Sequence, residues 1–295
     1  MGSNSPMKAL VIGASGQVGS HLVQELTKLG RDFFATHYRY PRHNTSKLDI
    51  TNYTEVSSFI EENKPDIIYL PAASPNVDHC EIYPNQTYPI NVTGVAHVVK
   101  AANVVGAKVV YFSSDYIFDG KSGPYSEEVA VNPICEYGRQ KVYAEHYLTT
   151  FCKEYLIIRT TVVYGWEDQK KNFIIRLLNS LRENISIQVP IDQIGSPTYA
   201  PNLASACVFL AEHEASGIYH VTGSELISRY EFALEAARVF GLQEKLIQPT
   251  STESLAQTAR RPLNLGLIVN KAANLLPFSL VGYKEGLQKL KREQP

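Results

Sequence analysis

Two residues near the middle of the chain carry a phenol and an ammonium group at helical spacing. Tyr137 and Lys141 are four positions apart, which places both side chains on one face of an α-helix, about one turn apart. A neighbouring cation favours the phenolate, so the pKa of the tyrosine is expected to fall from about 10 towards neutrality. Such a phenol can pass a proton to a carbonyl oxygen. The spacing therefore predicts a proton donor, although the same pair also occurs on ordinary helix surfaces.

A glycine-rich turn near the start of the chain supports this chemical interpretation. A short apolar run that predicts a buried strand precedes the turn, and an amphipathic helical pattern follows it. Gly16 lets a phosphate approach backbone N–H groups at the helix N-terminus, where the helix dipole favours an anion. A plain strand-to-helix turn is the alternative. The predicted dinucleotide contacts in this turn are Gly13, Gly16, Gln17, Val18 and Gly19.

Basic residues follow the second predicted strand, residues 33–36. NAD-binding sites usually carry an acidic residue at the end of this strand, where it binds the ribose 2′-hydroxyl. Asp32 lies at the wrong end of the strand, whereas Arg39 and Arg42 follow it. A guanidinium suits the 2′-phosphate of NADPH because it binds phosphate through two hydrogen bonds. The sequence therefore favours NADPH, with Arg39 as a phosphate ligand. Two alternatives stay open: NADH as the cofactor, and arginines that only face the solvent in a loop.

Strand and helix patterns alternate along the first half of the chain. The strand patterns at 9–12, 33–36, 66–70 and 108–112 are separated by helical patterns, which specifies a parallel sheet covered by helices on both faces. Ligands bind beyond the carboxyl ends of the strands in such a sheet. Ser114 follows the fourth strand, so its hydroxyl is expected to hydrogen-bond a substrate carbonyl oxygen.

Composition limits the classes of function and the compartment. Of the 295 residues 44% are hydrophobic and 19% are charged, and the formal net charge is -1, which is typical of a soluble globular chain and argues against nucleic acid and anionic membranes. No apolar run reaches the roughly 18 residues of a membrane helix, and no signal peptide is recognisable, so a cytoplasmic location is expected. The cysteines lack C-x-x-C spacing and the histidines lack ligand spacing, which predicts reduced thiols and no metal site.

The chain divides into regions that differ in the regularity of their patterns. Residues 1–6 have the composition of a cloning remnant and are left out of the fold. Residues 7–165 predict a dinucleotide-binding domain, and residues 166–295 predict a smaller substrate-binding lobe that is partly interleaved with the first. In this lobe Ser228 and Glu231 have the spacing of a capping box, at the start of a helix that runs to about residue 240.

Short motifs are distributed along almost the whole chain. They are GASGQVG at 13–19, LDIT at 48–51, SSDYIFDG at 113–120, PYSE at 124–127, YGRQK at 137–141, RTTVVYG at 159–165, NF at 172–173, DQIGSPT at 192–198, GIYH at 217–220 and ARRP at 259–262. Together they resemble the extended short-chain dehydrogenase/reductase superfamily and, more closely, the dTDP-4-dehydrorhamnose reductase family. The resemblance implies a Rossmann-type doubly wound α/β sheet with a smaller C-terminal lobe, and NADPH-dependent reduction of the 4-keto group of a nucleotide-linked deoxysugar.

The resemblance also implies roles for individual residues. Tyr137 would protonate the C4 oxygen, Lys141 would hold the nicotinamide ribose and lower the phenol pKa, and Ser114 would position the carbonyl. Tyr137 and Lys141 would thereby also contact the cofactor. Further cofactor contacts would come from Asp49, Ile50, Ala72, Ala73 and Ser74. Substrate contacts would come from Ser114, Asp115, Val162, Asn172 and the pair Arg260 and Arg261, which could instead be an ordinary surface pair.

Two departures from the family pattern lie where the sugar is expected to bind. Val162 stands where the family usually has tryptophan, and Gly266 where it has arginine. These departures leave two alternative functions open. The chain could be a reductase of another keto- or aldehyde-bearing sugar nucleotide, or a non-catalytic NADP-binding regulatory subunit resembling the methionine adenosyltransferase β subunit. A dehydratase or epimerase is disfavoured, because the segment 114–116 lacks the usual acidic pair. A homodimer stays open, and no sequence feature supports a Mg²⁺ site.

Overall fold

The computed structural model describes residues 7–294. Residues 1–6, expected to be a cloning remnant, and Pro295 lie outside the described residues. The strands are β1 (Lys8–Ile12), β2 (Asp32–His37), β3 (Ser46–Lys47), β4 (Ile67–Leu70), β5 (Lys108–Ser114), β6 (Tyr155–Thr160), β7 (Val163–Tyr164), β8 (Ile187–Pro190), β9 (Ile194–Gly195), β10 (Thr198–Tyr199), β11 (Gly217–His220), β12 (Ile227–Ser228) and β13 (Ile247–Thr250).

The helices follow the strands in alternation over the first half. They are α1 (Gln17–Lys28), α2 (Tyr53–Asn63), α3 (Val77–Ile82), α4 (Pro84–Tyr88), α5 (Gly94–Val105), α6 (Glu136–Phe151), α7 (Phe173–Arg182), α8 (Ala200–Glu212), α9 (Arg229–Phe240), α10 (Asn270–Ala273) and α11 (Tyr283–Arg292). A π-helical turn over Pro89–Thr93 joins α4 to α5. Single 3₁₀ turns lie at Asp115–Ile117, Glu244–Leu246 and Glu253–Leu255.

A parallel sheet of seven strands forms the centre of the molecule, in the order β11, β6, β5, β4, β1, β2, β3. Helices α1 and α8 cover one face, and α2, α5 and α6 cover the other. The inner strands β1, β4 and β5 are therefore buried on both faces and read as nearly continuous apolar runs. The strand order reverses between β1 and β4, and the crevice beyond their carboxyl ends is the expected ligand site. The predicted doubly wound α/β fold is confirmed.

The second half of the chain contributes to the main sheet as well as to a smaller lobe. β11 pairs in parallel with β6 at the edge of the main sheet, and α8 packs on α1 through an apolar cluster. A separate core forms the smaller lobe, where α7, α9 and α11 bring together Leu178, Phe232 and Leu287. The predicted capping box is confirmed: Ser228 Oγ accepts a hydrogen bond from Glu231 N at 3.1 Å, and α9 ends at Phe240.

Three chain-wide features bear on the predicted class of protein. The four cysteines are buried and free, as the sequence predicts. In the described part of the chain, no helix combines the length and the apolar character that a membrane crossing requires. Residues 7–294 also contain no group of three or more His, Cys, Asp or Glu side chains arranged to hold a metal ion.

Candidate active site

A close approach of α6 to the chain after β5 creates the site. A Cβ atom on Gly138 would lie 2.1 Å from the carbonyl oxygen of Tyr116, so only glycine allows the first turn of α6 to pack here. The neighbouring Tyr137 ring meets the Tyr116 ring edge to face, with the ring centres 5.9 Å apart. Because Tyr116 lies two positions after the end of β5, this packing carries the Tyr137 phenol to the carboxyl edge of the sheet.

The three predicted catalytic residues lie together at this edge. Ser114 Oγ donates a hydrogen bond to Asp115 Oδ1 at 3.0 Å and is also within hydrogen-bonding reach of the Tyr137 phenol. Lys141 Nζ donates to the Phe112 carbonyl oxygen at 2.7 Å, and it lies 5.8 Å from the centre of the Tyr137 ring. A hydroxyl, a phenol and an ammonium group therefore converge where β5 meets α6.

The predicted fall in the phenol pKa is wrong for the chain without ligands. Burial raises the pKa of Tyr137 above its ordinary value, and the Asp115 carboxylate raises it further, while the hydrogen bond with Ser114 opposes the rise. The Lys141 ammonium does not reverse this effect, because it is bonded to a backbone carbonyl and burial lowers its own pKa to about 8. Tyr137 is thus a neutral phenol near neutral pH, which is the protonation state of a proton donor.

Asp115 places a buried carboxyl group directly beside this trio. Its side chain is almost fully buried, and burial raises its pKa to about 6 although hydrogen bonds from Thr161 and Ser114 and the charge of Arg229 act in the opposite direction. Asp115 therefore gains or loses its charge within the pH range in which most enzymes work. Its Oδ1 atom is the one that accepts the hydrogen bond from the Ser114 hydroxyl.

The glycine turn between β1 and α1 has the features of a phosphate-binding turn. A Cβ atom on Gly19 would lie 2.2 Å from the Gly13 carbonyl oxygen, and Gly13 has a φ of +97°. Gly16 caps α1 without any side-chain hydrogen bond, so the N–H groups of Gln17 and Val18 are available to an anion. The side-chain nitrogen of Gln17 is buried and without a partner within the described structure. These observations fit a dinucleotide phosphate.

The loop after β4 forms the neighbouring wall and is held from behind. Ala72 N donates to the Ile12 carbonyl oxygen at 3.1 Å, and the backbone N–H and C=O of Ser74 are both bonded to the Asn91 amide, at 2.8 and 3.1 Å. Asn91 Nδ2 also donates to Gln140 Oε1 on α6 at 2.7 Å. This buried network ties the segment 72–74 to the helix of Tyr137. Neither amide was singled out from the sequence, because only tertiary contacts reveal the link.

Asp49 and Ile50, expected near the adenine, lie between β3 and α2. Leu48 N donates to the His37 carbonyl oxygen at 2.9 Å, which keeps this segment beside the end of β2. Ile50 is buried, and its carbonyl oxygen accepts a hydrogen bond from His97 Nδ1 at 2.9 Å. Both residues are therefore on the same edge of the sheet as the glycine turn.

The two arginines after β2 differ in their surroundings. Arg39 is exposed, whereas the guanidinium of Arg42 is paired with Asp168. Gln169, the next residue, donates to the Ser15 carbonyl oxygen of the glycine turn at 2.9 Å. Adjacent residues thus link Arg42 to this turn, whereas Arg39, which the sequence names as the phosphate ligand, is exposed.

A small cavity lies beside Asp115, between the sheet and the smaller lobe. The space open to the centre of a water molecule is about 30 Å³, which is enough for ordered water. Val162 lines the cavity and has a φ of +41°, a left-handed conformation that strains a β-branched residue. The side chains around it include Asp115, Tyr116, Thr161, Val162, Gln193 and Arg229.

Arg229 is a residue of this cavity that sequence reasoning missed. It is the first residue of α9, and its guanidinium lies 4.9 Å from the centre of the Phe173 ring. No ion pair or side-chain hydrogen bond joins it to another of residues 7–294. Burial lowers the pKa of Arg229, while the nearby Tyr116 and Asp115 raise it. An arginine after a capping serine carries no functional signal in the sequence, because only the packing of α9 brings it to the cleft.

Asn172, predicted to contact the substrate, is the N-cap of α7. Its Oδ1 accepts a hydrogen bond from Ile175 N at 3.1 Å. Its Nδ2 donates to the Gly165 carbonyl oxygen and to the Glu167 carboxylate, each at 2.9 Å. Both amide hydrogens are thus used inside the protein to fix the turn before α7, and a substrate contact of Asn172 stays a prediction.

The predicted diphosphate clamp, Arg260 and Arg261, is divided by the fold. Arg261 is bound to the Asp78 carboxylate at 2.7 Å and to the Ala259 carbonyl oxygen at 2.8 Å, whereas Arg260 is exposed. The Asp78 carboxylate already occupies the guanidinium fork that would bind a diphosphate. In this structure Arg261 therefore fixes the segment 259–261 to α3, and a role of the pair as a diphosphate clamp stays a prediction.

Proteins of two functional kinds resemble the chain over most of its length. The sequence model of a family described as the RmlD substrate binding domain matches residues 7–294. A dTDP-4-dehydrorhamnose reductase of Aggregatibacter actinomycetemcomitans is 34% identical, over 90% of this chain and 91% of its own. Methionine adenosyltransferase 2 subunit beta of Xenopus tropicalis is 30% identical, over 95% of this chain and 87% of its own.

A solved structure agrees in fold as well as in sequence. The crystal structure of dTDP-4-dehydrorhamnose reductase from Bacillus anthracis, in complex with NADP, superposes with a TM-score of 0.91 at 31% identity. The match covers 98% of this chain and 100% of that one. The similarity therefore includes both the dinucleotide-binding half and the smaller lobe.

Proposed function

The chain belongs to the dTDP-4-dehydrorhamnose reductase family, and we therefore propose that it reduces the 4-keto group of a nucleotide-linked deoxysugar with NADPH. The family predicted from the sequence motifs is confirmed. The observation that carries the proposal is the convergence of Ser114, Tyr137 and Lys141 at the sheet edge beside the glycine turn. The relatives support an oxidoreductase of the same class.

The proposed chemistry assigns one task to each side chain of the trio. Bound NADPH supplies a hydride to the carbonyl carbon. As negative charge develops on the carbonyl oxygen, that oxygen becomes more basic than a phenolate, so the neutral phenol of Tyr137 gives up its proton to it. The Ser114 hydroxyl would turn from Asp115 and position the oxygen by donating its hydrogen bond to it. Lys141 would bind the ribose and stabilise the phenolate that remains. Water then restores the proton of Tyr137.

The dinucleotide is proposed to lie along the carboxyl edge of β1, β2 and β4. The turn 13–19 would bind the pyrophosphate through Gly13, Gly16 and Gly19 together with the first N–H groups of α1. The segment 49–50 would contact the adenine, and the segment 72–74 would border the nicotinamide ribose. Arg42, together with the exposed Arg39, supports a preference for the 2′-phosphate of NADPH.

An assay of purified protein tests the reductase directly. NADPH absorbance is followed after addition of dTDP-4-dehydrorhamnose, and other keto-sugar nucleotides extend the test. Tyr137→Phe is expected to lose turnover by about 10²- to 10⁴-fold while it still binds NADPH. Tyr143→Phe is the matched control, because Tyr143 is exposed on the same helix. NADPH binding without oxidation by any keto-sugar would contradict the proposal.

The relationship to the methionine adenosyltransferase β subunit favours a second candidate function. A regulatory subunit would use the same turn to hold NADP, and the strained Val162 in the sugar cleft is compatible with lost turnover. Tight NADP binding, no turnover and co-elution with a methionine adenosyltransferase would support it. The intact trio argues for the reductase, since a subunit that only binds has no use for a proton donor.

We also propose a nucleotide sugar as the small-molecule partner and a cytoplasmic location. The four free cysteines support a reducing compartment. A homodimer stays a prediction, which a measurement of mass in solution would test.

A further inference from the structure

A segment of the second half crosses the outside of the glycine turn. We name this segment, residues 166–171, the strap. Gln169 Nε2 in the strap donates to the Ser15 carbonyl oxygen at 2.9 Å, and Lys171 Nζ lies 5.0 Å from the centre of the Tyr40 ring. The strap therefore contacts both the phosphate-binding turn and the loop after β2, the two places where an adenosine phosphate would be bound.

The central contact of the strap joins Asp168 to Arg42. The turn that begins at Arg42 is fixed, because Arg42 N donates to Thr45 Oγ1 at 3.0 Å. The Arg42 backbone is therefore anchored at the start of this turn. The Arg42 side chain is 28% exposed and that of Asp168 is 73% exposed. The arginine is thus the partner held in place, and the carboxylate is the partner that can move away.

We propose that Asp168 competes with the 2′-phosphate of NADP(H) for the Arg42 guanidinium and so sets how strongly the chain prefers NADP(H) over NAD(H). The inference rests on the proposed function, which assigns the glycine turn to a dinucleotide. Carboxylate and phosphate use the same fork of an arginine, so a 2′-phosphate bound there displaces the carboxylate. NAD(H) has no 2′-phosphate and leaves the ion pair intact. Asp168 therefore weakens the binding of the phosphorylated cofactor alone.

Binding measurements on the whole chain test this inference without any sugar substrate. Asp168→Asn keeps the size of the side chain and removes its charge. We expect NADPH to bind about two- to fivefold more tightly, the range that an exposed ion pair supplies, and NADH to bind as before. The gain is expected to shrink as the salt concentration rises. Calorimetry gives each Kd, and the fluorescence of Trp166, the only tryptophan of the chain, which lies in the strap, is a second signal to follow.

Two further variants separate competition from a general effect of charge. Asp32→Asn removes the same charge at the opposite end of β2, where Asp32 is exposed, and is expected to leave both Kd values unchanged. In an Arg42→Gln background, Asp168→Asn is expected to have no effect on NADPH, because the group for which the two anions compete is gone.

Several outcomes would overturn the inference. Weaker NADPH binding by Asp168→Asn would mean that Asp168 positions Arg42 for the phosphate, and equal tightening for NADPH and NADH would mean a general charge effect. An unaltered chain that does not bind NADPH would also overturn it. Since no step of the test requires turnover, a chain that binds NADPH and reduces no keto-sugar contradicts the reductase proposal alone.

Discussion

The two sides of the cleft differ in how completely their own residues are satisfied by contacts within the chain. On the cofactor side Asn91 binds both backbone polar groups of Ser74, and Gly19 packs directly on Gly13. On the sugar side Val162 is strained, and Arg229, which lines the cavity with it, has no ionic partner among the described residues. A preformed surface binds its ligand with little loss of conformational freedom. The difference indicates that substrate identity is decided in the half of the cleft that must adjust.

Removal of the ammonium group of the trio is expected to have the largest effect. Lys141→Met should lower kcat/KM of the reductase by about 10³-fold, because it removes the cation beside the phenol and the ribose. Lys108→Met, at the far end of β5, is the control. The unaltered chain should also lose kcat/KM above about pH 8, where Lys141 with its lowered pKa loses its proton. A constant rate across that range would show that the charge of Lys141 is not used.

The next largest effect is expected from Asp115, the buried carboxyl between the cofactor side and the sugar side, and it concerns the stability of the chain. The pKa of Asp115 is about 6 in the folded chain, above the ordinary value of 3.8 that applies in the unfolded chain. The bound proton therefore stabilises the folded state fully at a pH below 3.8. This stabilisation is lost as the pH rises through about 6, where the buried carboxyl becomes charged. Asp115→Asn cannot ionise. Urea denaturation should show it to be more stable than the unaltered chain by up to about 3 kcal/mol at about pH 7.5, with little difference near pH 4.

Asp119, whose pKa is lowered and not raised, is a control for that experiment, because its replacement should change the stability in the opposite direction. Hydrogen bonds from Lys121 N, Tyr125 and Asn132 lower the pKa of Asp119. Asp119→Asn should therefore be less stable than the unaltered chain near neutral pH, with the difference vanishing in acid. If both asparagine variants changed the free energy of unfolding in the same direction near neutral pH, the conclusion that the buried charge of Asp115 destabilises the folded chain would be contradicted.

The unpaired cation of the sugar side should have a smaller effect, confined to the substrate. Arg229→Gln is expected to raise KM for the sugar nucleotide by about 10- to 100-fold, the contribution of a charge-assisted hydrogen bond, and to leave the Kd of NADPH unchanged. Arg238→Gln, on the exposed part of the same helix, is the matched control. If both variants have the same KM, the sugar nucleotide does not reach Arg229.

The smallest expected effect concerns the strain at Val162. Val162→Gly should stabilise the chain by about 0.5–1 kcal/mol, because glycine adopts a left-handed conformation without strain. Val163→Gly, in the adjacent strand residue, should destabilise it by a similar amount. Denaturant midpoints of the two variants measure the contrast. A loss of stability in both would mean that Val162 gains more from packing than its backbone conformation costs.

Local signals predicted the fold more fully than the site. Gly13 determines the turn by its positive φ and Gly19 by its close approach to Gly13, and the pair Ser228 and Glu231 forms its capping box within four residues, so sequence spacing is sufficient there. The pKa of Tyr137 could not be predicted, because burial depends on distant elements. Arg229 reaches the cleft only through the packing of α9.

Two motif residues show a different limit of sequence reasoning. Asn172 and Arg261 lie in stretches that match the family, and yet their polar groups are bonded inside the protein. A motif identifies a position, whereas the hydrogen-bond partners that decide its task come from the folded surroundings. The same limit applies to Arg39 and Arg42, since only the fold shows that Arg42 is paired with Asp168 while Arg39 is exposed.

The strand β11 has a consequence for how the chain acquires its structure. Residues 217–220 border β6 in the main sheet, so a chain cut after residue 165 would present the hydrogen-bonding groups of β6 to the solvent as an open edge. We expect such a fragment to aggregate. During synthesis the central sheet can close only after the polypeptide has grown past this late strand, so the two halves should become protease-resistant together and not one after the other.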